Sequence, residues 1–172
     1  MGNVIDPYWF STTPTTSTIY NYNSGGIDYG PLYSGAIIRY GQKIDSGNAG
    51  IGSYVKKIKF KLFKSGSPTG TCRGKAYAGD GTSVLGTTET LDVSTLDTTS
   101  TMYEFTFDNY VLVETDSRFV IEYSGGDASN FIKFEIGAVG GAGANTTQTE
   151  YAVSWANGTT RDCLMIFDSA PV

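Results

Sequence analysis

Gly52-Ser53-Tyr54-Val55-Lys56-Lys57-Ile58-Lys59-Phe60-Lys61-Leu62-Phe63-Lys64 alternates apolar and charged residues with a period of two. Side chains on a β-strand point alternately to its two faces. This period therefore puts Ile58, Phe60 and Leu62 on one face and Lys57, Lys59 and Lys61 on the other. Ser65-Gly66-Ser67-Pro68-Thr69-Gly70 follows and breaks the strand with turn-forming residues. The same logic recurs at Met102–Phe107, Phe119–Tyr123 and Phe131–Ile136. Strands with one apolar and one polar face pair antiparallel around a core.

Working outward, residues 1–35 are the least regular part. They hold Tyr8, Trp9, Phe10, Tyr20, Tyr22, Tyr29 and Tyr33 in a Ser/Thr/Asn/Gly background. One strand is expected there, near Thr18–Tyr22, with the remainder packing on the domain as irregular chain. Gly35–Ile44, Thr71–Ala78 and Val84–Thr88 are the next strands, and Leu91–Leu96 reads as a connection. Asp108-Asn109 is expected to end the Met102–Phe107 strand. Val139–Thr147 is Gly/Ala/Asn/Thr-rich and reads as a loop. Glu150–Trp155 and Arg161–Phe167 close the chain as strands, joined by a hairpin at Asn157-Gly158. Tyr151, Val153 and Trp155 then share one face. With no amphipathic helix, repeat or linker, the 172 residues make a single β-sandwich domain spanning 1–172.

Composition excludes several functions. Histidine is absent, which removes every Ser-His-Asp or Cys-His relay and every histidine-ligated metal site. Two cysteines cannot build a four-cysteine zinc site. A net charge of −5 lacks the basic footprint of a nucleic-acid binder. No apolar run approaches the length that spans a bilayer. Met1–Asp6 has neither the basic nor the apolar region of a signal peptide.

Four stretches carry a resemblance. They are Lys61–Gly70, Lys75-Ala76-Tyr77-Ala78, Leu91-Asp92-Val93-Ser94-Thr95-Leu96, and Phe119-Val120-Ile121-Glu122-Tyr123-Ser124-Gly125-Gly126-Asp127-Ala128-Ser129-Asn130. The chain resembles jelly-roll β-sandwich domains found in carbohydrate-binding modules, in extracellular proteins and in virus or phage appendages. The resemblance implies an all-β antiparallel jelly-roll of two sheets, placed outside the cell or on a virion surface. It also implies a structural calcium ion, for which Asp6, Asp127 and Asp168 are the candidate donors. Asp80, Asp92 and Asp108 are further acids of this kind, although turn formation accounts equally well for Asp80, Asp108 and Asp127.

The expected function is a non-catalytic carbohydrate-binding module. Sugar rings present flat C–H faces to aromatic side chains with wet polar tips, so Trp9, Tyr20, Tyr22 and Trp155 are the candidate stacking residues. Glu104, Glu122, Lys133 and Glu135 are the candidate polar partners. The expected partner is a polysaccharide or cell-surface glycan. One alternative is a virion structural protein, such as a fibre tip or capsid decoration. A second is a small glycan-cleaving enzyme using a carboxylate pair. The lysine row Lys57, Lys59, Lys61 reads as edge protection, or else as a contact for an anionic surface. Cys72 and Cys163 each fall in phase with core positions. They form either a disulfide closing a loop of about 90 residues or two buried thiols.

Overall fold

Period-two alternation builds nearly the whole molecule. The computed structural model describes residues 17–22, 26–138, 145–159, 161–163 and 165–170. The strands are β1 (Ser17–Tyr22), β2 (Gly26–Leu32), β3 (Arg39–Ile44), β4 (Tyr54–Ser65), β5 (Thr71–Tyr77), β6 (Val84–Asp92) and β7 (Thr101–Leu112). They continue as β8 (Arg118–Glu122), β9 (Phe131–Ala138), β10 (Thr146–Tyr151), β11 (Trp155–Gly158), β12 (Arg161–Cys163) and β13 (Met165–Ala170). A 3-10 turn, Val93–Thr95, follows β6, and the Asp92 carboxylate caps it by accepting the Ser94 amide at 2.9 Å.

The strands form one large, curled antiparallel sheet in the order β1-β13-β4-β7-β6-β5-β8-β3-β10-β11. β9 leaves this path. It pairs with the end of β4 at Leu62–Ser65, with β2, and with β12. β4 is therefore forked: its first half pairs with β13 and its last residues with β9, both on one edge, while β7 takes the other. β12 and β13 meet this fork, with Cys163 opposite Ile136 and Met165 opposite Phe60. The all-β, antiparallel expectation holds. A division into two sheets turns on one join, where β6 and β7 pair only at Thr88 and Phe107. Beside it the Glu89 carboxylate accepts the Thr106 amide at 2.9 and 3.1 Å, so a side chain completes what the backbone pairing leaves short.

The core lies inside the curl. Ile58, Phe60 and Leu62 face it from β4, Phe105 and Phe107 from β7, Phe119 and Ile121 from β8, and Ile132 and Phe134 from β9, all essentially without solvent contact. Phe60 meets Phe134 at 5.6 Å and Phe105 at 5.9 Å, both edge to face. Tyr40 meets Phe134 at 5.4 Å, and Phe107 meets Phe119 at 6.3 Å. Each such buried ring contributes about 1.5–3 kcal/mol from burial, with roughly 0.5–1.5 kcal/mol more from ring–ring geometry. β3 and β8 approach so closely that a Cβ on Gly41 would lie 2.0 Å from the Phe119 carbonyl oxygen. Glycine is required there by the neighbouring backbone.

Four local expectations change. β2 is a strand inside the segment expected to be irregular. β7 runs straight through Asp108-Asn109. The β4 register shifts between Val55 and Lys57, and the Lys56 ammonium donates to the carbonyls of Phe107 at 2.6 Å and Asp108 at 3.0 Å, satisfying the bulged backbone. The last hairpin turns at 152–154, not at Asn157-Gly158, because Asn157 is paired with Thr149 inside β11. Tyr151 and Trp155 therefore face each other across the hairpin, while Val153 sits at its tip, 91% exposed.

Candidate functional site

The outer side of β4, β7, β9 and β13 carries the lysine row. Lys57 pairs with Glu104 at 2.6 Å, and Lys59 with Asp168 at 2.9 Å and Glu104 at 3.3 Å. Lys61 pairs with Glu135 at 3.2 Å, and the Ser100 hydroxyl also donates to Glu135. Three cations thus meet three carboxylates. The hydrogen bond from Lys57, aided by Lys59, holds the Glu104 carboxyl below its ordinary pKa, and Asp168 holds the Lys59 ammonium above its own. β4 is paired on both edges here, so the row does not protect an edge. It is a charge-balanced ladder across the sheet.

At the end of this face the ladder gives way to aromatic surface. In β9, Ile132, Phe134 and Ile136 enter the core, which turns Phe131, Lys133 and Glu135 outward. β9 lies between β2 and β4. Its Lys133 is opposite Pro31 on one side and Phe63 on the other, and its Glu135 is opposite Tyr29. The Lys133 ammonium sits 4.2 Å from the Tyr29 ring centroid, 5.2 Å from that of Phe63 and 5.5 Å from that of Phe131. Tyr29 meets Phe63 edge to face at 5.7 Å and is 48% exposed. The result is a half-wet ring on a three-strand floor, with an ammonium and a carboxylate beside it. Such a surface can stack on the C–H face of a sugar and hydrogen-bond its hydroxyls.

The outer side of β5, β8, β3, β10 and β11 is built differently. Glu122 is its centre. Its Oε2 accepts from Arg39 Nε at 2.7 Å and from the Tyr77 hydroxyl at 3.3 Å, and its Oε1 pairs with Lys75 at 2.8 Å. Arg73 Nε stands 3.9 Å away. Burial pushes the Glu122 carboxyl up, but hydrogen bonds from Lys75 and Arg39 outweigh it and hold the group below its ordinary pKa. Burial, with the Glu122 charge added, pushes the Tyr77 phenol up to about 12. The Arg39 guanidinium packs 4.4 Å from the Tyr151 ring and 5.1 Å from Tyr77. Trp155 closes the cluster against Tyr151 at 5.1 Å and Tyr77 at 5.4 Å. Its indole N–H donates to the Gly81 carbonyl at 2.7 Å, and the Arg118 guanidinium lies 5.1 Å from its ring. Arg118 is itself buried, donating to the carbonyls of Gly79 and Asp116.

The candidate residues therefore separate. Glu122 and Trp155 come together through Arg39 and Tyr77. Glu104 and Glu135 belong to the lysine ladder across the core, and Lys133 to the Tyr29 surface. Tyr20 and Tyr22 lie in β1, opposite Phe167 and Met165 of β13. Trp9 and Asp6 fall outside the described residues. Tyr29, Phe63, Arg39, Arg73, Lys75 and Tyr77 were not foreseen as site residues, although parity exposes some of them. Phe63 extends the outward row of Lys57, Lys59 and Lys61. Arg73, Lys75 and Tyr77 are the outward complement of Cys72, Gly74 and Ala76.

Two of the three candidate calcium donors are described, and each has a protein partner. Asp168 pairs with Lys59, and Asp127 accepts the amides of Ser129 at 2.7 Å and Asn130 at 2.9 Å within its own turn. Among the described residues no group of three acids or thiols is placed to hold a metal. The cysteines are not bonded to each other. Both are buried. Cys72 lies opposite Leu91 in the β5–β6 pair, whereas the Cys163 thiol donates to the Gly41 carbonyl at 2.7 Å. Burial pushes the Cys72 thiol up to about 12, so it behaves as a small apolar residue. No protein-family model, no curated protein and no solved structure matches this chain.

Proposed function

We propose that this chain is a non-catalytic binding domain, a jelly-roll in its finer architecture, that recognises a polysaccharide outside the cell or on a virion surface. The observation that carries the reading is the half-exposed Tyr29 ring beside Lys133, Phe63 and Glu135 on a rigid strand floor. Tyr29 stacks on a sugar ring, and Lys133 and Glu135 bond its hydroxyls. The non-catalytic part rests on the acids. A glycosidase needs one carboxyl with a raised pKa, whereas Glu104 and Glu122 are both held low by cations. Affinity electrophoresis against a panel of soluble polysaccharides tests the reading. Retardation by one glycan class, lost in Tyr29→Ala and kept in Glu104→Gln, is expected. No retardation by any glycan, or none lost in Tyr29→Ala, would sink it. Release of reducing ends would refute the non-catalytic part.

A second reading, a structural subunit of a virus or phage, is favoured by apolar surface at one end. Tyr110, Tyr54 and Ile51 are 53%, 39% and 37% exposed there. They adjoin a shallow depression of about 540 Å³ lined by Ile51, Leu112, Val113 and Glu114. A stable trimer in sedimentation would support that reading, and a monomer at high concentration would count against it.

A further inference from the structure

We propose that the outer face of β3, β8 and β5 is a second binding site, which takes the carboxylate of an acidic sugar on the solvent side of Arg73, beside the Glu122 cluster that Arg39 completes. Three cations, Arg39, Arg73 and Lys75, surround the single carboxylate of Glu122. The sheet register shows that no other acid balances them. On their far sides Arg73 is opposite Thr90, Lys75 opposite Thr87, and Arg39 opposite Tyr151. The local excess is two positive charges on a chain whose net charge is −5.

The donors at this excess are also left over. Arg39 bonds Glu122 through Nε alone, and Arg73, at 3.9 Å, is beyond hydrogen-bond range of it. Among the described residues neither guanidinium has a further hydrogen-bond partner. Guanidinium forks match the planar, two-oxygen geometry of a carboxylate. Arg73, with 43% of its side chain exposed, is open to solvent, while Arg39 is held in place by Tyr151 and Tyr77. The pre-set guanidinium thus lies across Glu122 from the open one, as the pairing Arg39↔Glu122↔Arg73 across three adjacent strands requires. Tyr151 borders this row and offers an aromatic edge to the sugar ring. The carboxylate part of the assignment rests on these donors alone. The sugar part rests on the function proposed above.

Isothermal titration with oligogalacturonate at about 0.15 M ionic strength, where long-range attraction is screened beyond roughly 8 Å, tests the proposal. Arg73→Gln keeps all three Glu122 contacts. It is expected to melt like the wild type and to bind oligogalacturonate about tenfold or more weakly. Lys57→Gln removes the same charge from the opposite face and is expected to bind normally. Methyl-esterified oligogalacturonate, which lacks the carboxylate, is expected not to bind at this site. Equal affinity in Arg73→Gln and wild type, or no binding by the wild type, overturns the proposal. Equal binding of dextran sulfate removes the carboxylate assignment, and equal binding of polyglutamate removes the sugar. Glycan binding that survives Tyr29→Ala but falls in Arg73→Gln would sink the reading at Tyr29 and support this site, so the two functional readings fail separately.

Discussion

The two outer faces of the curled sheet handle cations in opposite ways. On one, Lys57, Lys59 and Lys61 each find a carboxylate on a neighbouring strand, and the row runs from the wet Lys57–Glu104 pair, with Glu104 41% exposed, to the more covered Asp168 and Glu135, at 13% and 16%. On the other, Arg39, Lys75 and Arg73 converge on Glu122, whose side chain is 14% exposed, and aromatic rings pack around them. The first arrangement cancels charge, and its exposed Lys57–Glu104 pair contributes little to stability, since such pairs are worth about 0–1 kcal/mol. The second leaves charge over and depends on its one acid, because a cation stripped of water is costly without a partner. A row of lysines is therefore not what makes a surface positive. The cross-strand register does.

The comparison can be broken most decisively at Gly41, which lies between Arg39 and Lys43 on the Glu122 face. Gly41→Ala would press a Cβ onto the Phe119 carbonyl at 2.0 Å and the Val120 Cα at 2.7 Å, both backbone. A loss of about 3 kcal/mol or more is expected in urea denaturation. A cost below about 1 kcal/mol would mean that β3 and β8 are not so tightly apposed, and that the cationic face is not held as described.

Next come the two acids. Glu122→Ala strands half-buried cations and is expected to cost about 2–4 kcal/mol, whereas Glu104→Ala is expected to cost less than about 1 kcal/mol. Equal costs in the same denaturant series would erase the distinction between the faces.

Acid sharpens it further. Glu122 and Glu104 both have folded pKa values below the ordinary glutamate value of about 4.3, so each stabilises the fold above that value. Each contribution is lost as the pH falls through the folded pKa. Stability is therefore expected to decline below about pH 4. Glu122→Gln should flatten that decline at any salt concentration. Glu104→Gln should flatten it only at low salt, because its exposed pairs are screened. The reverse salt dependence would reassign which face is solvated. The smallest effect is expected for Lys57→Ala, within about 0.5 kcal/mol of wild type, and a larger loss would show that the ladder is more than charge balance.

Much of this was legible in advance, and the failures have a common cause. Ile58, Phe60, Leu62, Phe105 and Phe119 are buried as their alternation requires. The end of β7 was misplaced because Asp108-Asn109 looks like a turn. Only a partner strand reveals that Lys56 supplies the bonds that keep the strand extended. The last hairpin was misplaced because Asn157-Gly158 is a common turn pair, while pairing with Thr149 holds it in β11. Trp155 reads in sequence as a ligand platform, and only the fold shows that it also packs against Tyr77 and Arg118 and bonds Gly81. Tyr29 is not legible as a site residue because Gly30-Pro31 beside it reads as a turn, whereas pairing with β9 holds β2 as a strand.

By itself, then, the sequence determined what is local: which residues extend, which of each neighbouring pair turns inward, and which catalytic classes are closed to a chain without histidine. The tertiary structure decided what each outward side chain meets. Arg39 and Glu122 are 83 positions apart, yet they stand opposite each other in β3 and β8. Alternation is a property of one strand's own backbone and repeats every two residues. Strand order and register are set by how all the apolar faces close around one core, and those are what place a cation beside a carboxylate, beside a ring, or beside neither.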